Sequence, residues 1–295
     1  MDGPQDFLAE RFEANRSHLR AVAYRMLGSL TEAEDAVQEA WLRLSRTDIG
    51  DVENLSGWLT TVVSRICLDM LRSRKSRQED SLDPNDSDSV VDHETTDPEQ
   101  EALLADSVGV ALLVVLDTLT PAERLAFVLH DMFDLSFDEI ASIIGRSPVS
   151  TRQLASRARR RVRGVDVVPN AELRSQRRVV DAFLGALRAG DFEGLLTVLD
   201  PDVLIRTDIA GPTGAPTEIR GARNWAQGAI AFSRLARFVQ PALVNGSAGL
   251  VFAPGGRLTR VLSFTIAQGK IVQFEVIAGP ERLRRLDLAV LDDEE

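Results

Sequence analysis

The stretch Ser136–Arg163, SFDEIASIIGRSPVSTRQLASRARRRVR, constrains this chain more than any other. Ser136 followed three residues later by Glu139 is the pattern of a capping box, which satisfies orphan amides at a helix start. Ile140, Ala141 and Ile144 then make one apolar side, and Gly145 ends the helix. Ser147 caps a second helix with Pro148 at its first position, where a missing N–H costs nothing. Leu154, Ala158 and Val162 recur at i, i+4, i+8 and turn inward. Arg152, Ser156, Arg159 and Arg163 fall on the opposite side. From Arg146 to Arg163 there are seven arginines and no acid. Two short helices across a glycine corner, the second carrying such a face, suit a DNA major groove. An amphipathic surface helix with a solvated charged side has the same pattern, so the stretch by itself leaves both readings open.

Charge elsewhere limits the choice. The 295 residues carry a net charge of −11, which argues against a uniformly basic nucleic-acid binder, so distribution matters more than sum. The basic residues cluster: from Arg65 to Arg77 there are five against one acid, and favourable interaction with a helix C-terminus accounts for part of that. From Gln78 to Asp106 there are eleven acids and no Lys or Arg. Such a composition buries too little apolar surface to order itself, and a flexible acidic linker is expected. One cysteine, Cys67, excludes a disulfide framework, and its helical phase with Leu59, Val63 and Met70 makes it a core residue. The histidines His18, His93 and His130 lie too far apart for metal-ligand spacing. No apolar run approaches a membrane span. The charged N-terminus lacks a signal core, so a cytoplasmic location away from membranes is expected. No metal or cofactor is expected.

Upstream of the basic segments, Asp6–Arg46 reads as two helices broken at Gly28, with Thr31 and Glu34 as a capping box for the second. That helix buries Ala33, Ala36, Val37, Ala40, Trp41 and Leu44 and shows Glu34, Asp35, Gln38, Glu39 and Arg43. An acidic face beside a basic DNA reader is better suited to a protein partner or to solvent than to DNA. A loop, Asp48–Ser56, precedes a long helix from Gly57. Thr120, Pro121 and Glu123 start another helix, PAERLAFVLHDMF, beneath the helix–turn–helix.

After Gly164 the pattern changes. Two helices, RSQRRVVDAFLGALRAGD and FEGLLTVLDP, are followed by strand-like runs: VLIRTD, then, after a helix over Ala222–Arg237, VQPALVNGSAGLVFAP, RLTRVLSFTIAQ and KIVQFEVIA. Gly255-Gly256 and Gln268-Gly269 fit hairpin turns. Helices followed by a curved antiparallel sheet make an α+β cone. Trp225, Phe232, Phe252, Phe264 and Phe274 are expected to line its interior. Residues 164–295 hold no His, Tyr or Cys. The acids Asp202, Asp208, Glu218 and Glu275 read as turn, cap or surface residues rather than as a positioned base with an oxyanion donor.

The order of parts over residues 6–163 resembles the extracytoplasmic-function sigma factors. The helix DAVQEAWLRL resembles the segment that docks on the polymerase β′ clamp, which implies that Asp35, Gln38, Glu39, Leu42 and Arg43 bind polymerase. GWLTTVVSRICLDMLRSR resembles the reader of the −10 element, implying DNA contacts from Trp58, Arg65, Asp69, Arg72 and Arg74. The pocket for a flipped base would be the loop before Trp58, which here has no aromatic residue. LTPAERLAFVLHDMFDLSFDEIASIIGRSPVSTRQLASRARRRV resembles region 4. That implies docking on the polymerase β flap and reading of the −35 element by Arg152, Gln153, Ser156, Arg157 and Arg160. Arginine bonds guanine bidentately and glutamine bonds adenine, while the remaining arginines would meet phosphate.

The C-terminal half resembles the NTF2/SnoaL-like extension of the SigJ-like group. Gly279, Pro280, Glu281, Arg282 and Leu283 (GPERL) stand for that group's closing NPDKL motif, a regulatory element. Asp208–Pro212 (DIAGP) stands where the group has DGGGK.

The fold class expected is therefore multidomain: two all-α sigma domains at 6–77 and 107–163, joined by the linker 78–106, then a short linker 164–174 and an α+β NTF2/SnoaL-like cone at 175–290. The function implied is that of a non-enzymatic sigma factor. Its partners would be core RNA polymerase (β′ clamp and β flap) and promoter DNA, and the cone admits a small apolar ligand. A polymerase-independent DNA-binding regulator and a SnoaL-type enzyme with a DNA-binding appendage are the alternatives.

Overall fold

The computed structural model of the chain describes residues 4–47, 54–80, 109–164, 171–210 and 216–291. The expected acidic linker from residue 81 on, loop residues 48–53, residues 165–170 of the short linker and the end of the DIAGP loop lie outside the described residues.

The break expected at Gly28 separates α1 (Pro4–Leu27) from α2 (Leu30–Leu44). The cap of α2 is not the expected Thr31–Glu34 box. Ser29 has the extended backbone, and its hydroxyl accepts from the Glu32 amide at 3.4 Å. Burial decides the shift: Leu30 is 6% exposed, and seating it draws the helix start back by two residues. Glu34 instead reaches α1, pairing with Arg16 at 3.2 Å and Arg20 at 3.3 Å. Helix α3 (Leu55–Asp80) begins under the side chain of Asn54, which accepts from the Gly57 amide at 3.0 Å. Leu19, Val22, Met26, Ala36, Leu59, Val63 and Cys67 are buried. Each large aliphatic side chain among them contributes about 1.5–3 kcal/mol.

The next segment runs α4 (Val110–Asp117), α5 (Pro121–Phe127), a π-helical turn (Val128–Met132), α6 (Phe137–Ile144) and α7 (Pro148–Arg163). Thr120–Glu123 and Ser136–Glu139 both close as capping boxes. Gly145 ends α6 at φ +75°, its amide on the Ala141 carbonyl at 2.9 Å. That left-handed corner is why glycine stands there. Packing makes two units. One joins the α1–α3 segment to Leu119–Arg159, and the other joins Gly109–Thr118 to Arg160 onward. Helix α4 thus packs with the C-terminal sheet.

In the second unit α8 (Ala171–Ala189) and α9 (Phe192–Val198) lead into a seven-stranded sheet: β1 (Leu199–Ala210), β2 (Pro216–Arg220), β3 (Val239–Val244), β4 (Ser247–Phe252), β5 (Arg260–Ala267), β6 (Lys270–Ile277) and β7 (Leu288–Val290). The order is β2-β1-β6-β5-β4-β3-β7, antiparallel except for β1 with β6. Helix α10 (Ala222–Ala229) gives way to 3₁₀ turns over Ile230–Phe232 and Leu235–Phe238 rather than running to Arg237. The run Val239–Pro254 is a hairpin, not one strand: Asn245 (φ +51°) and Gly246 (φ +81°) make a two-residue turn between Val244 and Ser247, the Asn-Gly signature of type I′. Gln268-Gly269 turns as expected between Ala267 and Lys270, whereas Gly255-Gly256 belongs to a 3₁₀ turn.

The expected α+β class holds. Phe183 of α8 meets Trp225, Phe264 and Phe274 at ring centroids of 5.5, 5.4 and 5.9 Å. These rings fill the concave side of the sheet. Phe232, expected inside, is 54% exposed because the helix carrying it ends one turn early.

Gly249 marks a tight crossing. A Cβ there would lie 2.6 Å from Val244 Cγ2 and 2.8 Å from the Leu262 carbonyl oxygen of the next strand. Backbone cannot retreat as a side-chain tip can. Gly249→Ala is expected to destabilise the C-terminal unit by about 1–3 kcal/mol, read as a lower urea midpoint for near-UV signal from Trp225.

Candidate nucleic-acid interface

Helix α7 is amphipathic in three dimensions as well as in sequence. Leu154, Ala155, Ala158 and Val162 are buried, and Arg152, Gln153, Ser156, Arg157 and Arg160 are exposed. Three arginines of this helix are held by neighbours. Arg152 lies over the Phe137 ring at 5.2 Å. Arg157 pairs with Glu123 at 3.3 Å, and Arg159 pairs with Asp131. Glu123 is buried and already serves in the α5 capping box, so it anchors Arg157 without swinging. Such fixing lowers the side-chain entropy lost on binding. The Ser147 hydroxyl caps α7, accepting from the Ser150 amide at 3.2 Å.

On α3, Arg65, Asp69 and Arg72 are exposed, with Asp69 and Arg72 paired at 3.6 Å. Trp58 is half-buried. Arg74 turns inward: it pairs with Glu32 and donates to the Leu27 carbonyl at 3.5 Å, steadying the C-terminus of α1. Arg65 reaches across to α6, donating to the Ser142 carbonyl at 3.2 Å. Residues 48–53 of the loop expected to hold a flipped base lie outside the described residues.

On α2, Asp35, Gln38, Leu42 and Arg43 are exposed, and Glu39 is tied to Arg43 at 2.9 Å. Leu42, an apolar side chain 40% exposed, stands amid these polar groups. A groove of about 420 Å³ runs between α1 and α2, lined by Phe12, Val37 and Trp41 together with Glu13, Arg16 and Gln38. The sequence carried no signal for this groove, because it needs the two helices side by side.

The GPERL segment forms a short helix, α11 (Pro280–Leu283). Asp208, read from sequence as a turn, cap or surface acid, is what holds it. Its carboxylate accepts from the Ala278 amide at 2.7 Å, the Gly279 amide at 3.1 Å and Arg282 Nη1 at 3.2 Å. Arg282 also pairs with Glu275 at 2.8 Å, which raises its pKa, mainly through that hydrogen bond. The DIAGP and GPERL segments are therefore joined through Asp208. Glu281 and Pro280 are exposed, and Leu283 is half-buried. Glu218 pairs with Arg206 and Arg220. Among the described residues no group of three or more His, Cys, Asp or Glu is arranged to hold a metal, and no helix is long and apolar enough to cross a membrane.

The acidities of Cys67 and Glu139 are also shifted. Burial pushes the Cys67 thiol up to about 12, against a smaller opposing pull from Arg124. Hydrogen bonds from Ser136, first the hydroxyl and then the amide, hold the Glu139 carboxyl below its ordinary 4.5.

Family models for Sigma-70 region 2 and Sigma-70, region 4 match residues 11–77 and 109–162. The probable ECF RNA polymerase sigma factor SigI of Mycobacterium tuberculosis is 36% identical over 292 residues, covering 94% of this chain and 95% of that protein. The ECF RNA polymerase sigma factor SigJ of the same organism is 37% identical over 295 residues, covering 92% and 91%. The crystal structure of that SigJ is 33% identical and covers 93% of this chain and 97% of its own, with a TM-score of 0.45.

Two outcomes test this geometry. Cys67 is expected to stay unmodified by a thiol reagent at pH 8 in the folded chain and to react at once in denaturant. Ser136→Ala is expected to cost the α6 cap about 1 kcal/mol, seen as roughly fivefold faster amide exchange in α6. A carboxyl with a lowered folded pKa stabilises fully above its ordinary value and loses that contribution as pH falls through the folded one. The gap between the two proteins is therefore expected to narrow below pH 4.5.

Proposed function

This chain belongs to the extracytoplasmic-function RNA polymerase sigma factors, which direct promoter-specific transcription initiation, and on that premise we propose how its surfaces divide the work. The observation that carries the reading is α7: five polar side chains exposed along a helix whose other side is buried, behind a glycine corner. Arg152 and Gln153, near the N-terminal end of the second helix of a helix–turn–helix, meet base edges of the −35 element. Arg157 and Arg160 meet phosphate. On α3, Trp58, Arg65, Asp69 and Arg72 face the −10 element. Arg74 supports them from behind by bracing α1 against α3.

The α2 face is the polymerase contact, on the β′ clamp. Leu42 is its apolar centre, and Asp35, Gln38, Glu39 and Arg43 are its polar surround. An apolar anchor ringed by polar groups is the usual arrangement of an interface hot spot. The helix–turn–helix segment docks on the β flap. The work is cytoplasmic, where polymerase and promoter are. The C-terminal unit regulates rather than catalyses. Three of the four acids that a catalytic reading would draw on are engaged in ion pairs or hydrogen bonds, Asp208 with the GPERL segment, Glu275 with Arg282 and Glu218 with two arginines, and the fourth, Asp202, is exposed. Its concave side is occupied by the Phe183, Trp225, Phe264 and Phe274 rings, which argues for a regulatory body over a ligand pocket.

The test is reconstitution with core polymerase and selection of bound promoters. Arg152→Ala is expected to cost about 1–3 kcal/mol and to relax specificity at one position of the −35 element. Arg160→Ala is expected to weaken all promoters alike and to lower the salt slope by about 1. Leu42→Asp is expected to weaken polymerase binding by about 1–2 kcal/mol. Specific promoter binding without polymerase would instead favour an independent regulator.

A further inference from the structure

We propose that Phe137 is a positioning residue for the −35 contact of Arg152: its ring sets the guanidinium in place before DNA arrives, and His130 in turn sets the ring. The proposal rests on the sigma reading above and deepens it. Phe137 stands at the first position of α6, directly after its cap, Ser136. That helix already buries Ile140, Ala141, Ile143 and Ile144, whereas Phe137 is only half-buried. Core packing alone therefore does not account for a large ring at this position. The ring has two neighbours instead. The Arg152 guanidinium of α7 lies over it, 5.2 Å from the centroid, and the His130 ring meets it at 3.9 Å, tilted by 30°. His130 is itself fixed. Its Nδ1 donates to the Leu135 carbonyl at 2.8 Å, and since a carbonyl only accepts, Nδ1 carries a hydrogen. The Leu135 amide donates to the Leu129 carbonyl at 2.9 Å, and Asp134, at φ +56°, turns the chain between them. His130 thus holds both the backbone that leads into α6 and the ring that opens it.

A neutral ring does for Arg152 what a carboxylate cannot. Arg157 and Arg159 are held by Glu123 and Asp131. An acid holds an arginine by occupying some of its N–H donors and offsetting its charge. An arginine held that way can still meet phosphate through its remaining donors. Reading guanine is more demanding, because paired N–H donors must be free and aligned with the base edge together. Among the described residues Arg152 has no carboxylate partner, and its contact is with the ring. The electron-rich face attracts the cation and competes for none of its donors. A free arginine gives up rotamer freedom when it engages a base, and one held in advance gives up less. That cost falls only on a promoter whose matching base engages Arg152. Loss of the ring therefore lowers preference at one base pair, while the charge that meets phosphate stays as it was.

Holoenzyme reconstituted from the full-length chain and core polymerase is presented with promoters randomised through the −35 element, and base preference is read position by position. Arg152→Ala first marks the position that Arg152 reads. Phe137→Leu keeps an apolar side chain but no ring. It is expected to lower preference at that position by about two- to fivefold, the size of a cation–π contact at an exposed site. The other positions and the salt slope are expected to stay unchanged. Phe137→Tyr, which keeps a ring face, is expected to retain the preference. In an Arg152→Ala background, Phe137→Leu is expected to change nothing further. His130→Ala leaves Phe137 in place and is expected to lower the same preference by a smaller factor. Unchanged preference in Phe137→Leu, an equal loss at every position in both Phe137→Leu and His130→Ala, or the same loss with Arg152 already removed would overturn the proposal. An Arg152→Ala protein that forms holoenzyme yet relaxes no position would overturn the base-reading role of Arg152, and the proposal with it. The two failures are told apart because the second is seen without altering Phe137.

Discussion

A single buried guanidinium organises the N-terminal half of this protein. Arg124 sits where α1 ends, against carbonyls that have no partner within their own helix. Around it α5 lies on α3, Phe133 stands between His18 and Arg25, and Arg65 reaches α6. Cys67 shares this dry interior, which is why its thiol is pushed to about 12 even with a cation nearby. Arg74 steadies the same helix end from the other side through Leu27 and Glu32. Two cations at one helix terminus are tolerated because the carbonyls there carry partial negative charge.

The C-terminal half is organised by an anion in the corresponding role. The Asp208 carboxylate gathers two amides and a guanidinium from the GPERL segment, so the chain leaving β6 is held to β1 before it turns away toward β7. Strand β7 then lies at the opposite edge of the sheet, paired with β3. Helix α4 packs against that edge. The family model for region 4 begins at residue 109, so an element of that region is seated on the C-terminal sheet. The region-4 match and the C-terminal sheet therefore share one packed element.

Much of this was legible in one dimension. The two capping boxes at Thr120 and Ser136, the glycine corner at Gly145 and the spacing of Leu154, Ala158 and Val162 are local patterns, and each appears as read. So does the burial of Cys67. Reading faltered where a local pattern competed with packing. Thr31–Glu34 is a sound capping box, yet Ser29 caps because Leu30 must be buried. The Asn245-Gly246 turn lies inside a long apolar run, and the helix expected to carry Phe232 inward stops short of it. Asp208 looked like any turn acid, since its partners lie about seventy residues on.

The amino-acid sequence by itself determined which helices and strands form, where the basic faces lie and which family the chain resembles, because periodicity, caps and turn residues act over a few positions. The tertiary structure alone decided what those faces touch. Arg74 and Arg65 have the same residue type on one helix, and only packing turned the first toward Glu32 and the second toward Ser142. The same holds for the helix–turn–helix and for Arg124 in the helix before it. Nothing within several residues of Arg124 marks it for burial, because its partner carbonyl is ninety-nine positions away.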